Sequence, residues 1–576
     1  MQKKCKEKGV TLIALVITII VLIVLAGVAI NALVGENGII TQAQKAKDDT
    51  EQGKRDEESG LLSLEEQINK ALGESFNIQE GVNRPKLASG MTPIKFKDPT
   101  NSEKGKVDKT NSGDTSWYDY NNKKWANAQT EDGSMWVWIP RYAYKVNDNQ
   151  TFDIKFLIGT TDNYYDENGK IQTAKRCTNV EELVDTKIGY TVHPAFTDET
   201  KISYKNGGWD KELTGIWVAK FEAGYASGNN SAPVKASSVN YSEANSWVRT
   251  VEAGTTEDSS QTARNWLDGI YGSTKTAIKY PTFQGKTYSM NYINHNDAFN
   301  IAKAMTEEGN IYGLTEAIDS HLMKNSEWGV VSYLSQSKYG LDGTDITVNN
   351  VSLNSGGAKR TNTAGKSGVD SVYAVTGCTT GSTSAGETVK TMENINGTTG
   401  NTANNGVYTW DQMNGCKASS TGNIYGIYDL SGGTYERTAT YVANGSNNLK
   451  NYGASIAYDG NTLKTASTKY TTAYPFDNST DNTGIANNDA NLDAASVNNY
   501  KKNTLIYGDG IRETSTAGTE STSWYGDYSY YPGLYSPLSV RGGYLWSGST
   551  AGLFYFNRIN GNSIFYTGFR AVLTVA

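Results

Sequence analysis

Cysteine is scarce in this chain: four occur in 576 residues, too few for a disulfide scaffold. Cys5 precedes the first apolar run, which leaves Cys177, Cys378 and Cys416; Cys378 and Cys416 could pair outside a cell, but spacing does not determine connectivity. Histidine is scarcer still, and His193, His295 and His321 are too far apart to form a metal-ligand pattern. Basic excess is absent as well. The net charge of −7 implies no basic surface and excludes nucleic acid as an expected partner. No repeat of 20–50 residues is visible, which excludes solenoids and propellers. No serine–histidine–aspartate series or pair of carboxylates stands in a persuasive catalytic context, so no catalytic residue is assigned.

A long uncharged run is present. Lys3, Lys4, Lys6 and Lys8 precede a stretch without charge from Val10 to Val34. As a helix it would be roughly 37 Å long, against a hydrocarbon core of about 30 Å. The expectation is a membrane segment over 10–34 with a cytoplasmic head and everything beyond delivered outside. From Ile39 to Leu72 the apolar positions Ala43, Ala46, Leu61, Leu62, Leu64, Ile68, Ala71 and Leu72 flank a charged stretch, which predicts a stalk helix ending at Gly73. The run is too long for the apolar part of a cleaved signal peptide.

The remaining 500 or so residues suffice for more than one domain or one heavily inserted domain. Residues 74–210 open as a polar linker and become strand-rich. Met135 to Tyr144 reads as an aromatic strand with Pro140 limiting its pairing, and Phe152 to Ile158 alternates before a hairpin signal at Asn168 and Gly169. Thr214 to Ala223 predicts a central strand. Asn296 to Met305 and Ser326 to Ser335 have helical spacing, with Asn294 or Asn296 as the first cap. Stretches 340–422 and 452–503, rich in Gly, Ser, Thr and Asn, read as inserted surface loops. Asp477 to Asn482 lacks the glycine and distal glutamate of a calcium loop and reads as a solvated loop; no cofactor is assigned, a structural calcium ion being the one left open.

Tyrosine and glycine are abundant, at 37 and 59 residues, in a body dense in Ser, Asn and Thr. Tyrosine offers stiff contact area and the small polar residues offer adaptable hydrogen bonds, the mixture of binding paratopes. An ordinary loop-rich extracellular domain has the same composition.

Three resemblances follow from particular motifs. Lys8 to Ala14 resembles the processing signal of type IV pilins, in which a prepilin peptidase would cut after Gly9 and leave Val10 as the new N-terminus. Ala14 stands where pilins usually carry glutamate, which bears on assembly with other pilin subunits. Gly215 to Glu222, Asn291 to Met305, His321 to Gly329, Asn423 to Glu436, Arg541 to Gly543 and Gly568 to Leu573, in that order, resemble the formylglycine-generating-enzyme family, with its C-type lectin fold. Oxidases of that family hold copper with a cysteine pair, and Arg541 to Ala576 contains no cysteine.

Arg541 to Arg570 is similar to the variable region of diversity-generating retroelement target proteins, where mutagenic reverse transcription changes adenines in a copied template. The implied fixed frame is Arg541, Gly542, Gly543, Trp546, Gly548, Ala551, Gly552, Phe554, Phe556, Gly568, Phe569 and Arg570. The implied variable ligand-binding face is Tyr544, Leu545, Ser547, Tyr555, Asn557, Ile559, Asn560, Asn562, Ile564, Phe565 and Tyr566. The aromatic stretch containing Trp524, Tyr525, Tyr528, Tyr530 and Tyr531 has too little aliphatic content for a core and is expected as a rim.

Together these readings give an α+β class: a leader over 1–9, a transmembrane and stalk helix over 10–73, the strand-rich stretch 74–210, and a C-type-lectin-like domain with long loop insertions over 211–576. The expected function is a pilin-anchored adhesin or receptor on a bacterial surface. Its partner would be a protein or glycan on another cell or phage. The alternatives are a copper oxidase of the formylglycine-generating type, with a displaced cysteine pair, and a minor pilin with a structural role.

Overall fold

Gly215 to Ala219 carries side chains of opposite destination along one strand. Trp217 and Ala219 enter one hydrophobic cluster with Trp138, Phe299 and Leu573, while Ile216 and Val218 enter another with Ile139, Trp328 and Val572. Successive residues of a strand point to opposite faces, so a wholly apolar strand belongs where both faces are covered. The computed structural model places it there. It describes residues 81–98, 105–177, 189–200, 206–225, 281–290, 293–354, 372–381, 388–390, 407–476, 499–503, 505–518, 520–562, 564 and 566–575, all within the unit spanning 74–576.

The main sheet is antiparallel and seven-stranded. Its strands, in chain order, are β1 (Thr92–Phe96), β2 (Val107–Lys109), β3 (Asn127–Gln129), β4 (Met135–Pro140), β5 (Gly215–Ala219), β6 (Ile318–Leu322) and β11 (Ala571–Val575), with spatial order β6-β11-β5-β4-β3-β1-β2. Residues 74–210 thus supply four of its strands. Trp217 lies opposite Trp138 across β5 and β4, and their rings are 5.3 Å apart. Pro140 is the last residue of β4, where a missing donor costs least. The expected hairpin after Phe156 is formed by Asn163–Tyr165 and Ile171–Thr173.

A second sheet carries the candidate site. Its long strand β7 (Tyr435–Val442) pairs with β8 (Leu538–Arg541), which pairs with β9 (Phe556–Ile559); β10 (Thr567–Phe569) runs parallel to the start of β7. Helix α1 (His295–Lys303) begins where the Asn294 side chain accepts from the Asp297 amide at 2.9 Å, and packs Ala298, Phe299, Ile301 and Ala302 on the first cluster. Helix α2 (Asn325–Ser335) is buried along its whole length, and the Glu327 carboxylate accepts from the Lys324 amide at 2.8 Å.

These observations correct the α+β expectation. Strands predominate among the regular elements of the described residues, and the longest helix there, α2, has eleven residues, about 16 Å at 1.5 Å per residue. No helix among them is long and apolar enough to cross a membrane, and none is pilin-like, so transmembrane and pilin-like character finds no support there. The reason is the pattern: apolar residues alternate along short strands instead of recurring every three or four positions. Residues 10–73, the leader, and Gly9 and Val10 lie outside the described residues, as do Asp477 to Asn482.

The two sheets meet at Arg570. Its guanidinium is fully buried; Nε and Nη2 donate to the Glu436 carboxylate at 2.9 and 2.5 Å, Nη1 donates to the Ala219 carbonyl at 2.7 Å, and Nη2 also donates to the Tyr428 carbonyl at 2.7 Å. One side chain therefore joins β7, the end of β5 and the junction of β10 with β11. Removing one member of a buried pair strands the other, so Arg570→Met should lower stability by about 3–5 kcal/mol. Chemical denaturation checks this, and Arg570→Met with Glu436→Met should recover part of the loss.

Candidate functional site

Tyr435, the first residue of β7, is the hub of the candidate site. Its ring centroid lies 4.7 Å from that of Tyr544, 5.5 Å from Tyr555 and 5.4 Å from Tyr566. Tyr544 continues to Trp546 at 5.7 Å, and Tyr555 continues to Tyr528 at 5.8 Å, which stacks on Tyr530 at 6.1 Å. The Arg558 guanidinium lies over the Tyr530 ring at 3.9 Å. Offset and edge-on contacts of this kind hold rings in place while leaving edges and hydroxyls available. Burial pushes the Tyr435 phenol up to about 12 and raises Tyr544, Tyr555 and Tyr566 as well, so these groups act as neutral hydrogen-bonding phenols.

The supporting turns are built from residues that tolerate no substitute. Gly542 and Gly543 have φ of +82° and +77°, and a Cβ on Gly543 would lie 2.7 Å from that of Ala551. This turn docks on the 432–433 backbone through Gly432 N to Gly542 O at 3.1 Å and Leu545 N to Gly433 O at 3.0 Å. A Cβ on Gly552 would meet the Asp527 carboxylate at 2.2 Å, and that carboxylate accepts from the Phe554 amide at 2.8 Å.

Frame and face separate by burial. Of the frame residues, Trp546 alone is partly exposed; Arg541, Gly542, Gly543, Gly548, Ala551, Gly552, Phe554, Phe556, Gly568, Phe569 and Arg570 are buried. Of the face residues, Tyr544, Ser547, Asn557, Ile559, Asn560, Asn562, Ile564 and Tyr566 are partly exposed. Leu545 and Tyr555 are buried, at 4% and 2% exposure, Leu545 beside Ala374 and Tyr555 between the Tyr435 and Tyr528 rings. Phe565 lies outside the described residues.

The expected rim divides. Tyr528 and Tyr530 join the tyrosine series, whereas Tyr531 packs in a separate core with Tyr474 and Tyr500. Trp524 and Tyr525 pack on Phe554, with Trp524 also 5.0 Å from Phe152 and the Tyr525 hydroxyl donating to the Gln150 carbonyl at 2.6 Å. Tyr435 is the residue that sequence reasoning missed. Its signal was its place beside Glu436 in the turn-rich segment from Asn423, but the ring stack spans more than a hundred residues of chain.

Cys378 and Cys416 are buried free thiols, not a disulfide, and burial pushes both thiols up. Their protons are directed to carbonyls, Cys378 to Thr376 at 3.6 Å and Cys416 to Trp410 at 3.3 Å. Behind the face lies a carboxyl cluster. Glu222 accepts from the hydroxyls of Ser289 and Thr434 and from the Thr434 amide at 3.0 Å; Asp429 accepts from Asn349 Nδ2 and Gly377 N, each at 2.8 Å. No protein-family model matches the chain, and comparison with curated proteins finds no match.

Burial raises Glu222 well above the usual carboxylate range, raises Asp429, and pushes Glu436 up to about 7 against the pull of Arg570. Unfolded carboxyls titrate near 4, so between about pH 4 and 7 the folded state holds more protons and loses stability as pH rises. His193 and His295, held neutral by burial, act in the opposite direction only below about 6.5. The contribution of these carboxyls to the thermal midpoint should therefore fall as pH rises up to about 7. Glu222→Gln should flatten that slope by about 1 kcal/mol per pH unit at most, measured by calorimetry.

Proposed function

We propose that this chain is a ligand-binding protein whose segment from Arg541 to Arg570 presents a changeable face on a fixed frame, as in the retroelement-diversified proteins that the segment resembles. The single observation that carries this reading is the burial pattern. All but one of the twelve frame positions are buried, while eight of the ten described face positions reach solvent. A surface meant to vary must place its variable side chains where substitution changes recognition without changing packing, because core substitutions cost stability and exposed ones usually do not.

Recognition would rest on the tyrosine series, with Asn557, Asn560 and Asn562 supplying donors and acceptors around it. No covalent step is involved. The ligand is a protein or glycan surface met by aromatic anchors and small polar groups, and the buried Tyr555, with Tyr435 at the hub, supports the partly exposed rings. Display of this face outside the cell belongs to the same proposal.

The test is deep sequencing of codons 537–576 in a growing population of source cells. Substitutions should concentrate at adenine-bearing codons among 544, 547, 557, 559, 560, 562, 564 and 566, with 542, 551, 552, 554 and 569 unchanged. A uniform sequence through all forty codons would sink the diversification.

A further inference from the structure

We propose that Arg437 is the positioning residue of the variable face and holds the main chain at Asn562 and, through Thr567, at Ile564 without reading the side chains that vary there. The proposal rests on the binding reading above for its purpose, but not for its geometry. Arg437 lies on β7 and is fully buried. Its Nη2 donates to the main-chain carbonyl of Asn562 at 2.5 Å and to Thr567 Oγ1 at 2.8 Å. Thr567 Oγ1 in turn donates to the main-chain carbonyl of Ile564 at 3.0 Å.

The guanidinium is itself held. Nη1 donates to His295 Nδ1 at 2.5 Å, and the opposite ring nitrogen of His295 donates to the Ser539 carbonyl at 3.3 Å, an arrangement that requires the proton on Nε2. The His295 amide donates to the Gly561 carbonyl at 3.1 Å, which ties the same loop to the start of α1. Gly561 has φ of +97°, and a Cβ there would lie 2.5 Å from Leu538 Cδ1 and 2.7 Å from Tyr452 Cβ. The loop is thus fastened at the carbonyls of Gly561, Asn562 and Ile564 by residues outside the variable set.

Carbonyl contacts are the same whatever side chain the residue carries. Asn560, Asn562, Ile564 and Tyr566 are partly exposed, and among these side chains that of Asn560 touches the loop backbone, Asn562 N donating to Asn560 Oδ1 at 3.2 Å. A fixed guanidinium that grips main chain allows many sequences to share one loop shape. It also limits the entropy lost when a ligand binds, because carbonyls already held need no further fixing.

Hydrogen–deuterium exchange on the full chain, with no ligand present, tests this. Arg437→Met should speed exchange of amides 561–567 about tenfold, while 215–219 and 571–575 stay unchanged. Asn562→Ala and Ile564→Ala should change the same amides by no more than about twofold. Unchanged exchange in Arg437→Met would overturn the proposal, as would an effect of Asn562→Ala or Ile564→Ala equal to that of Arg437→Met. If Arg437→Met does not fold, Thr567→Val decides in its place: faster exchange at 561–567 supports the clamp and no change overturns it. Because neither ligand nor codon variation enters this measurement, its failure would leave the binding reading standing, and a uniform gene sequence would leave the clamp standing.

Discussion

The buried pairing of Arg570 with Glu436 is the constraint on which the rest of the described structure depends. Arg570 sits between the last strand of the small sheet, β10, and the last strand of the main sheet, β11, so the chain must pass from one to the other at this residue. A guanidinium with no exposure has to find its acceptors inside the protein, and it finds a carboxylate on β7 and carbonyls at Ala219 and Tyr428. Those acceptors come from two distant parts of the chain, Ala219 and the segment from Tyr428 to Glu436. Satisfying one cation therefore fixes where β5, β7 and the segment before β7 lie with respect to each other.

The same arrangement accounts for the unusual carboxyl chemistry behind the face. Glu222, Asp429 and Glu436 lie close enough to repel one another, and Arg570 is the cation that offsets them. Burial raises all three, so the cluster holds protons to higher pH than exposed carboxyls would. Hydroxyls from Ser289 and Thr434 and amides from Thr434 and Gly377 then complete the hydrogen bonding. A rigid polar floor results, on which the glycine turn at 542–543 and the tyrosine series are laid.

Burial and exchangeability are distributed along the C-terminal segment in opposition. Glycines at 543, 552, 561 and 568 approach other atoms so closely that a side chain would collide, Gly542 has φ of +82°, and Phe554, Phe556 and Phe569 fill the core. Between them lie the partly exposed positions, of which Ile559 also packs on the first cluster and Tyr544 and Tyr566 on Tyr435. Arg437 and His295 supplement this frame from outside the segment by holding carbonyls. Core-filling and solvent-reaching side chains are thereby separated within the same thirty residues.

Much of this was legible from one dimension. The apolar run in Thr214 to Ala223 and the helical spacing after Asn294 and from Ser326 are local patterns, whereas the glycine-and-aromatic frame from Arg541 to Arg570 is what the resemblance implied. The seven-stranded sheet was not legible, because it pairs residues 92–140 with 215–219 and 571–575 across long intervals that carry no local signal. The aromatic stretch at 524–531 looked uniform, yet packing sent Tyr531 to one core, Trp524 and Tyr525 to another, and Tyr528 and Tyr530 to the face. By itself the sequence determined which residues of the C-terminal segment must be small or aromatic. Only the tertiary structure decided that Tyr435 gathers the face, that Arg437 holds its loop and that Leu545 and Tyr555 turn inward, because those outcomes depend on which distant strand arrives alongside.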